Sequence, residues 1–259
     1  MEHDALLALF DREGRRDARP DGPGMRIERD GDVVRQTGPA HGWNGILWSD
    51  LDPARADAAI DRQVRHFTSL GLAFEWKLYA HDRPGDLAGR LRAAGFRPEP
   101  EESLMVAGAD DIAALPAAPP EGIELRPVTD AAGAALVAAV HDQAFGTDGT
   151  HIERQLLDRL AAHPDTVAAV VAMAGDRPVG SARLEMPPGT RFAGLWGGGT
   201  VEDWRGRGLY RSLLAHRARI AAARGYRHLQ VDASAMSGPV LRRLGFARLT
   251  TTTPYVHEP

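Results

Sequence analysis

The sequence predicts a mixed α/β fold built as two consecutive units, and three observations carry that prediction. Residues 195–225 read as a strand, a tight glycine turn and a helix, in that order. The order strand, helix, strand, helix ending in Gly-Phe, strand occurs twice: Leu91-Arg92-Ala93-Ala94-Gly95-Phe96 in the first half is echoed by Leu241-Arg242-Arg243-Leu244-Gly245-Phe246 in the second. Between the halves, Gly108 to Gly122 is rich in Ala and Pro, with Pro116, Pro119 and Pro120, and reads as a linker. The expected division is therefore 1–107, a linker at 108–122, and 123–259.

Each element has a local reason. Glu2 to Arg12 suits a short helix, and Glu13 to Pro23, full of Arg, Asp, Gly and Pro, reads as a mobile connection. Met25–Arg29 and Val33–Gln36 are strand candidates around the turn Asp30-Gly31-Asp32, and Gly45–Trp48 is a third. Asp52 is an expected N-cap with Pro53 at the first helical position. The helix that follows spaces Ile60, Val64 and Phe67 on one face and stops at Gly71. Phe74–Tyr79 alternates and is β-prone. Asp82 to Ala94 is expected as a second helix, and a strand follows near Ser103–Val106.

In the second half, Ile123–Pro127 reads as a strand, and Thr129 or Asp130 caps a helix over 131–144. Gly146–Gly149 is a loop, and Ile152–Ala162 is a helix ended by Pro164. Val167–Ala174 turns through Gly175-Asp176 into Val179–Glu185 as a hairpin. Phe192 leads into the strand that carries Gly197, Gly198 and Gly199. Three glycines in a row favour close backbone approach or a bulge over a regular strand.

The glycine turn carries the chemistry. Gly206 and Gly208 lack a Cβ, so the backbone can turn sharply and approach a ligand. A helix opening at Gly208 aims free N–H groups and a positive dipole end outward, and Arg205, Arg207 and Arg211 add full charges. A phosphate or pyrophosphate suits such a place; a plain helix start with solvated arginines is the alternative. Arg211 occupies the third position of a dinucleotide fingerprint, and no Gly-Lys-Ser/Thr follows, so neither of those phosphate motifs applies.

The stretch resembles the GNAT superfamily of acyl-CoA-dependent N-acyltransferases. The family's loop, Arg/Gln-x-x-Gly-x-Gly/Ala after a strand ending in Val, is matched by Val201, Arg205 and Gly208; its terminal Leu-Gly-Phe is matched at Leu244-Gly245-Phe246. The resemblance covers Ile123 to Val256. It implies a mostly antiparallel sheet flanked by helices, the first half of the chain being a degenerate copy without the phosphate loop. It implies an acetyltransferase that uses acetyl-CoA as cosubstrate and an amine as acceptor, with a CoA-binding or sensing module as the alternative. Backbone groups of Gly199, Thr200 and Val201 would hold the pantetheine arm. Arg205, Gly206, Arg207, Gly208, Leu209 and Tyr210 would hold the pyrophosphate, and Ser237, read as a helix cap, is a further cofactor contact.

The sequence departs from the family in three places. Tyr210 stands where the family prefers Gly or Ala. Arg217 interrupts the apolar stripe of Leu209, Leu213, Leu214 and Ile220. Ser234 and Leu241 stand where a frequent Asn and the frequent Tyr acid fall, and Leu241 cannot protonate a thiolate. Glu185 is the candidate general base, with an exposed strand-end carboxylate as the alternative. Asp232 and Tyr255 have no better claim, and Glu75, Trp76 and Lys77 could line an acceptor site.

Composition bounds the rest. A chain of 259 residues with 43% hydrophobic and 25% charged residues suits a globular protein, and a net charge of −4 argues against nucleic acid. The absence of cysteine excludes disulfides and thiolate chemistry. No apolar run reaches the ~20 residues of a membrane span, and no signal peptide opens the chain. The expectation is a cytoplasmic monomer or homodimer with no metal.

Overall fold

The computed structural model describes residues 3–259. In chain order, helix α1 (His3–Phe10) continues into a π-helical turn over Asp11–Arg16. Strands β1 (Arg26–Asp30), β2 (Val33–Thr37) and β3 (Gly45–Ser49) follow, then helix α2 (Ala56–Ser69), β4 (Phe74–Tyr79), α3 (Leu87–Ala93), the short β5 (Arg97–Pro98) and β6 (Glu102–Gly108). Next come α4 (Ala109–Ala113), β7 (Ile123–Pro127), α5 (Ala131–Phe145), α6 (Thr150–Ala162), β8 (Val167–Ala174), β9 (Arg177–Glu185) and β10 (Phe192–Thr200). The chain closes with α7 (Leu209–Ala223), β11 (His228–Ala233), α8 (Gly238–Arg243) and β12 (Ala247–His257).

The chain divides into two compact units, Met1–Met105 with Asp232–Pro259, and Val106–Val231. The division differs from a split at the Pro-rich stretch: the last 28 residues pack with the N-terminal half. Residues 109–113 of that stretch form α4, which buries Ala109 and Ile112. Arg219 of α7 donates to the carbonyls of Ala113 (3.2 Å) and Leu115 (3.2 Å), so this segment is held to the second unit.

In the first unit, β1–β2–β3 are antiparallel, β3 and β4 pair in parallel, and β4 pairs with β12 antiparallel from His257↔Phe74 to Thr252↔Tyr79. The buried faces of α2 and α3 meet these strands at Ile60, Phe67, Trp76, Leu91 and Phe96, and Phe67 stacks on Phe74 at 4.2 Å. Asp52 accepts from the N–H groups of Ala54 (2.9 Å) and Arg55 (3.0 Å) in the turn before α2; the helix itself starts at Ala56 with Arg55 as its N-cap, three residues later than the predicted cap. The predicted helix over 82–94 is shorter. Asp82 is instead drawn to Arg15, which donates to both its oxygens (2.8 and 2.7 Å), to Asp11 Oδ1 (2.7 Å) and to the Leu47 carbonyl (2.9 Å). Those bonds bury the Arg15 guanidinium against the Tyr79 ring and fold 13–16 into the π-helical turn where a mobile connection is expected from composition. Glu2, part of the predicted first helix, lies outside the described residues.

In the second unit, β7–β8–β9–β10 form an antiparallel run and β11 joins β10 in parallel. Alternation along β8 sorts the two faces. Val167, Ala169, Val171 and Met173 pack with α5 and α6, whereas Val170 and Ala172 pack with Leu209 and Leu213 of α7. Asp130 caps α5 by accepting from the Gly133 N–H (2.8 Å), and Gly146, at φ 72°, ends it in the left-handed conformation that glycine favours. This is the mixed, mostly antiparallel sheet flanked by helices that the sequence predicts.

Candidate functional site

The candidate site is the edge of β10 and the turn after it. β10 pairs with β11 only at Phe192↔His228, Ala193↔Leu229 and Gly194↔Gln230. Beyond Gly194 it keeps its partner β9 and leaves its other edge without a ladder. On the β9 side the register also breaks: Trp196 faces Arg183, the next pair is Gly199↔Ser181, and the residues between form a bulge. Gly197, at φ 55°, turns the backbone there. A Cβ on Gly198 would lie 3.3 Å from the Tyr210 ring, so the strand and α7 approach closely. Gly199 and Thr200 resume pairing opposite Ser181 and Gly180, and the Val201 N–H donates to Val179 (3.1 Å). Their other edge, predicted to hold a pantetheine arm, has no strand paired to it among the described residues, although the Thr200 carbonyl there accepts from Arg205 Nε (3.2 Å).

The turn leads straight into α7. Gly206 (φ 75°) and Gly208 (φ 84°) both adopt the left-handed region, with Gly208 at the N-cap. No side chain caps the helix, and its first bond runs from the Ser212 N–H to the Gly208 carbonyl (3.1 Å). The N–H groups of Leu209, Tyr210 and Arg211 therefore have no intrahelical acceptor, which is the arrangement that receives an anion.

The arginines of the motif divide their work. Arg205 donates to the carbonyls of Thr200 (3.2 Å) and Ala144 (3.0 Å), bracing the turn against the end of β10 and the end of α5. Arg207 lies over the Trp204 ring at 4.8 Å, and it and Arg211 are solvent-exposed. Tyr210 turns its ring back toward Gly198, and burial raises its phenol pKa. Its bulk is thereby accommodated under the strand.

Glu185 stands at the end of β9, where its Oε1 meets Arg159 Nη1 (2.8 Å) and Arg183 Nε (3.0 Å). Two guanidiniums on one oxygen tie α6 to the sheet. Ser237 lies in the first unit, where its N–H donates to the Ser234 hydroxyl (3.3 Å) ahead of α8. Leu241 is fully buried.

Sequence reasoning did not anticipate the settings of two further cations, Arg217 and Lys77. In the second unit, Arg217 is 2% exposed; its donors reach only carbonyls, Nε to Leu213 (3.2 Å) and Nη1 to Arg183 (3.0 Å) and Trp196 (3.4 Å). Burial pushes its pKa down to about 10, with Tyr210 acting the other way. In the first unit, Lys77 ion-pairs with Asp232, whose side chain is 3% exposed. Burial opposes the Lys77 charge, yet Asp232, Tyr79 and Glu75 together raise its pKa. Glu75 accepts from the Trp43 indole N–H (2.8 Å), and burial raises its pKa. Glu102 is pushed up to about 7, chiefly by burial and then by Asp232, Glu75 and Glu99. Trp76 and Tyr255, both read as site candidates, are core residues at 1% and 2% exposure.

Among known families, the model described as the Acetyltransferase (GNAT) family matches residues 133–246, which spans α5 through the Gly-Phe after α8. That stretch, 114 of the 259 residues, resembles the GNAT family in sequence. Solved structures share the fold over nearly the whole chain. A GCN5-related N-acetyltransferase from Kribbella flavida is 18% identical, with a TM-score of 0.71, covering 99% of this chain and 94% of that one. A functionally unknown conserved protein from Staphylococcus epidermidis is 14% identical, with a TM-score of 0.67 over 93% and 96%. A tandem GNAT protein from the clavulanic acid biosynthesis pathway is 16% identical, with a TM-score of 0.61 over 98% and 93%. No curated protein matches the sequence. Among the described residues no group of His, Asp and Glu is arranged to hold a metal ion, and no helix is long and apolar enough to cross a membrane.

Proposed function

We propose that the GNAT domain binds acetyl-CoA and transfers the acetyl group to a primary amine of a small molecule or peptide. The observation that carries this reading is the continuous path formed by the β10 edge beyond its pairs with β11, its glycine bulge and the uncapped N-terminus of α7. An extended polar arm ending in a pyrophosphate fits that path. The β10 edge at Gly199–Val201 offers strand-like bonds to the arm. The N–H groups from Gly206 to Tyr210 offer donors and a positive dipole end to the phosphates, with no caps to displace. Arg205 supports the turn from behind.

Acetyl-CoA supplies an activated acyl carbon. Attack by a neutral amine forms the N–C bond; the C–S bond then breaks, its electron pair leaves on sulfur, and the amine gives up one proton. The chain's part is to hold the thioester, exclude water and place donors where negative charge develops on the carbonyl oxygen. Glu185 is not carried into this scheme, because two arginines already engage it.

A second reading has its own support. Leu241 replaces the family's frequent acid, and Glu185 is committed to ion pairs, so a domain that binds acetyl-CoA without turnover also fits. Release of free thiol from acetyl-CoA across a panel of primary amines separates the two. Amine-dependent thiol release supports transfer; tight binding with no release on any amine supports the binding module.

A further inference from the structure

Arg217 is the least expected group in the second unit. A buried cation is ordinarily paired with an anion, because desolvating it alone is costly. Arg217 has no carboxylate partner among the described residues. An apolar side chain would continue the stripe of Leu213 and Leu214 at lower cost.

Its placement gives the charge a use. Arg183 and Trp196 face each other across β9 and β10, and they form the last regular pair before the bulge. Arg217 Nη1 donates to both their carbonyls (3.0 and 3.4 Å), bridging the two strands at that point. Its Nη2 lies 3.5 Å from where a Cβ on Gly198 would stand. The guanidinium thus fixes one side of the bulge and faces the glycine backbone within it. The interior there has a low dielectric, so an uncompensated charge is felt strongly by whatever sits on the bulge. Tyr210 closes the same space, 3.3 Å from where a Gly198 Cβ would stand, so the departures at Tyr210 and Arg217 meet at one glycine.

We propose that Arg217 is a positioning residue for acyl transfer: its buried guanidinium sets the β10 bulge and lends positive charge to the acyl carbonyl held there. This rests on the acetyl-CoA reading above. When the amine attacks, the carbonyl π electrons move to oxygen, and the bulge donors stabilise that oxygen against the field of Arg217. When the C–S bond breaks, the carbonyl re-forms and the electron pair leaves on sulfur. Arg217 neither gains nor loses a proton.

The test is the infrared carbonyl stretch of [1-¹³C]acetyl-CoA bound to the native protein, to Arg217→Met and to Arg217→Gln. Affinity is measured by calorimetry and folding by circular dichroism. The expected result is a stretch lowered on binding to the native protein and restored toward its free value in Arg217→Met, with affinity within about threefold, because the phosphate cradle is untouched. With an accepted amine, kcat falls about 100-fold while KM holds, the size expected when a developing oxyanion loses support. Arg217→Gln keeps a donor without the charge and gives the same spectral loss if Arg217→Met does not fold. An unchanged stretch in a folded variant overturns the proposal alone. Loss of acetyl-CoA affinity in proportion to the spectral change makes Arg217 a general structural residue and also overturns it. Failure of the native protein to bind acetyl-CoA overturns the reading beneath it, and the proposal with it.

Discussion

The chain carries the run strand–helix–strand–helix twice, as β3–α2–β4–α3 and as β10–α7–β11–α8. The two runs share their joints. Each begins with a parallel pair, Gly45↔Glu75 in one and Phe192↔His228 in the other. Each ends on a glycine at positive φ, Gly95 at 93° and Gly245 at 101°, followed by Phe N–H to Leu carbonyl bonds of 3.1 Å at Phe96–Leu91 and Phe246–Leu241. They differ where the long helix begins. The entry to α2 is closed by the chain's own carboxylate, Asp52, which also engages Arg55. The entry to α7 is left open by Gly206 and Gly208. They differ again in the buried cation: Lys77 is surrounded by carboxylates, and Arg217 has only carbonyls. One frame is satisfied from within, whereas the other leaves donors and a charge unspent. That contrast is why the proposed acetyl-CoA site lies on the second run.

The largest expected effect breaks the contrast between cations. Lys77→Met strands Asp232, Glu75 and Glu102 in a buried setting, so it should destabilise the first unit by about 3–5 kcal/mol. Arg217→Met strands no carboxylate, and its cost should be clearly smaller. Denaturant unfolding of both variants reads the difference, and equal losses would mean that the partners of the two cations do not matter.

This contrast was only partly legible in the sequence. Local signals worked: the glycine turn before α7, the Asp130 cap, the β8–β9 hairpin and both Gly-Phe endings all depend on neighbours within a few residues. Arg217 was visible as a break in an apolar stripe, but its carbonyl partners lie on other strands, and a bulge has no period. Glu185 looked like a free strand-end carboxylate because Arg159 is 26 positions away. Lys77 and Asp232 are 155 apart in sequence. Composition also misled at 13–16 and 109–113, where Arg15 and α4 anchor segments that read as connectors.

A middle-sized effect concerns the helix entries. Asp52→Ala removes the carboxylate that holds the turn before α2 and should lower the melting temperature modestly, with no change in acetyl-CoA affinity. A change in affinity would show that the first run contributes to binding.

The smallest effect is a pH dependence. The Glu102 carboxyl is pushed up to about 7 from its ordinary 4.5 by burial and by Asp232, Glu75 and Glu99, with Lys77 opposing. A carboxyl whose pKa is higher in the fold is best tolerated when protonated. Its contribution is most favourable below about 4.5, is lost as pH rises to about 7, and stays lost above. Glu102→Gln should therefore raise the melting temperature at pH 8 and leave it nearly unchanged at pH 4.5. An identical gap at both pH values would contradict the shift.

The open entry of α7 is the centre of the account, and thermal unfolding with saturating acetyl-CoA tests it most directly. At about 100 times its dissociation constant, acetyl-CoA should stabilise the native protein by about 2.7 kcal/mol. Gly208→Asp should lose that gain, because it places a carboxylate and a Cβ at φ 84° where the phosphates are expected. A shift in the native protein that vanishes in Gly208→Asp is the predicted result. No shift at millimolar acetyl-CoA, or an equal shift in a folded Gly208→Asp, would contradict the account.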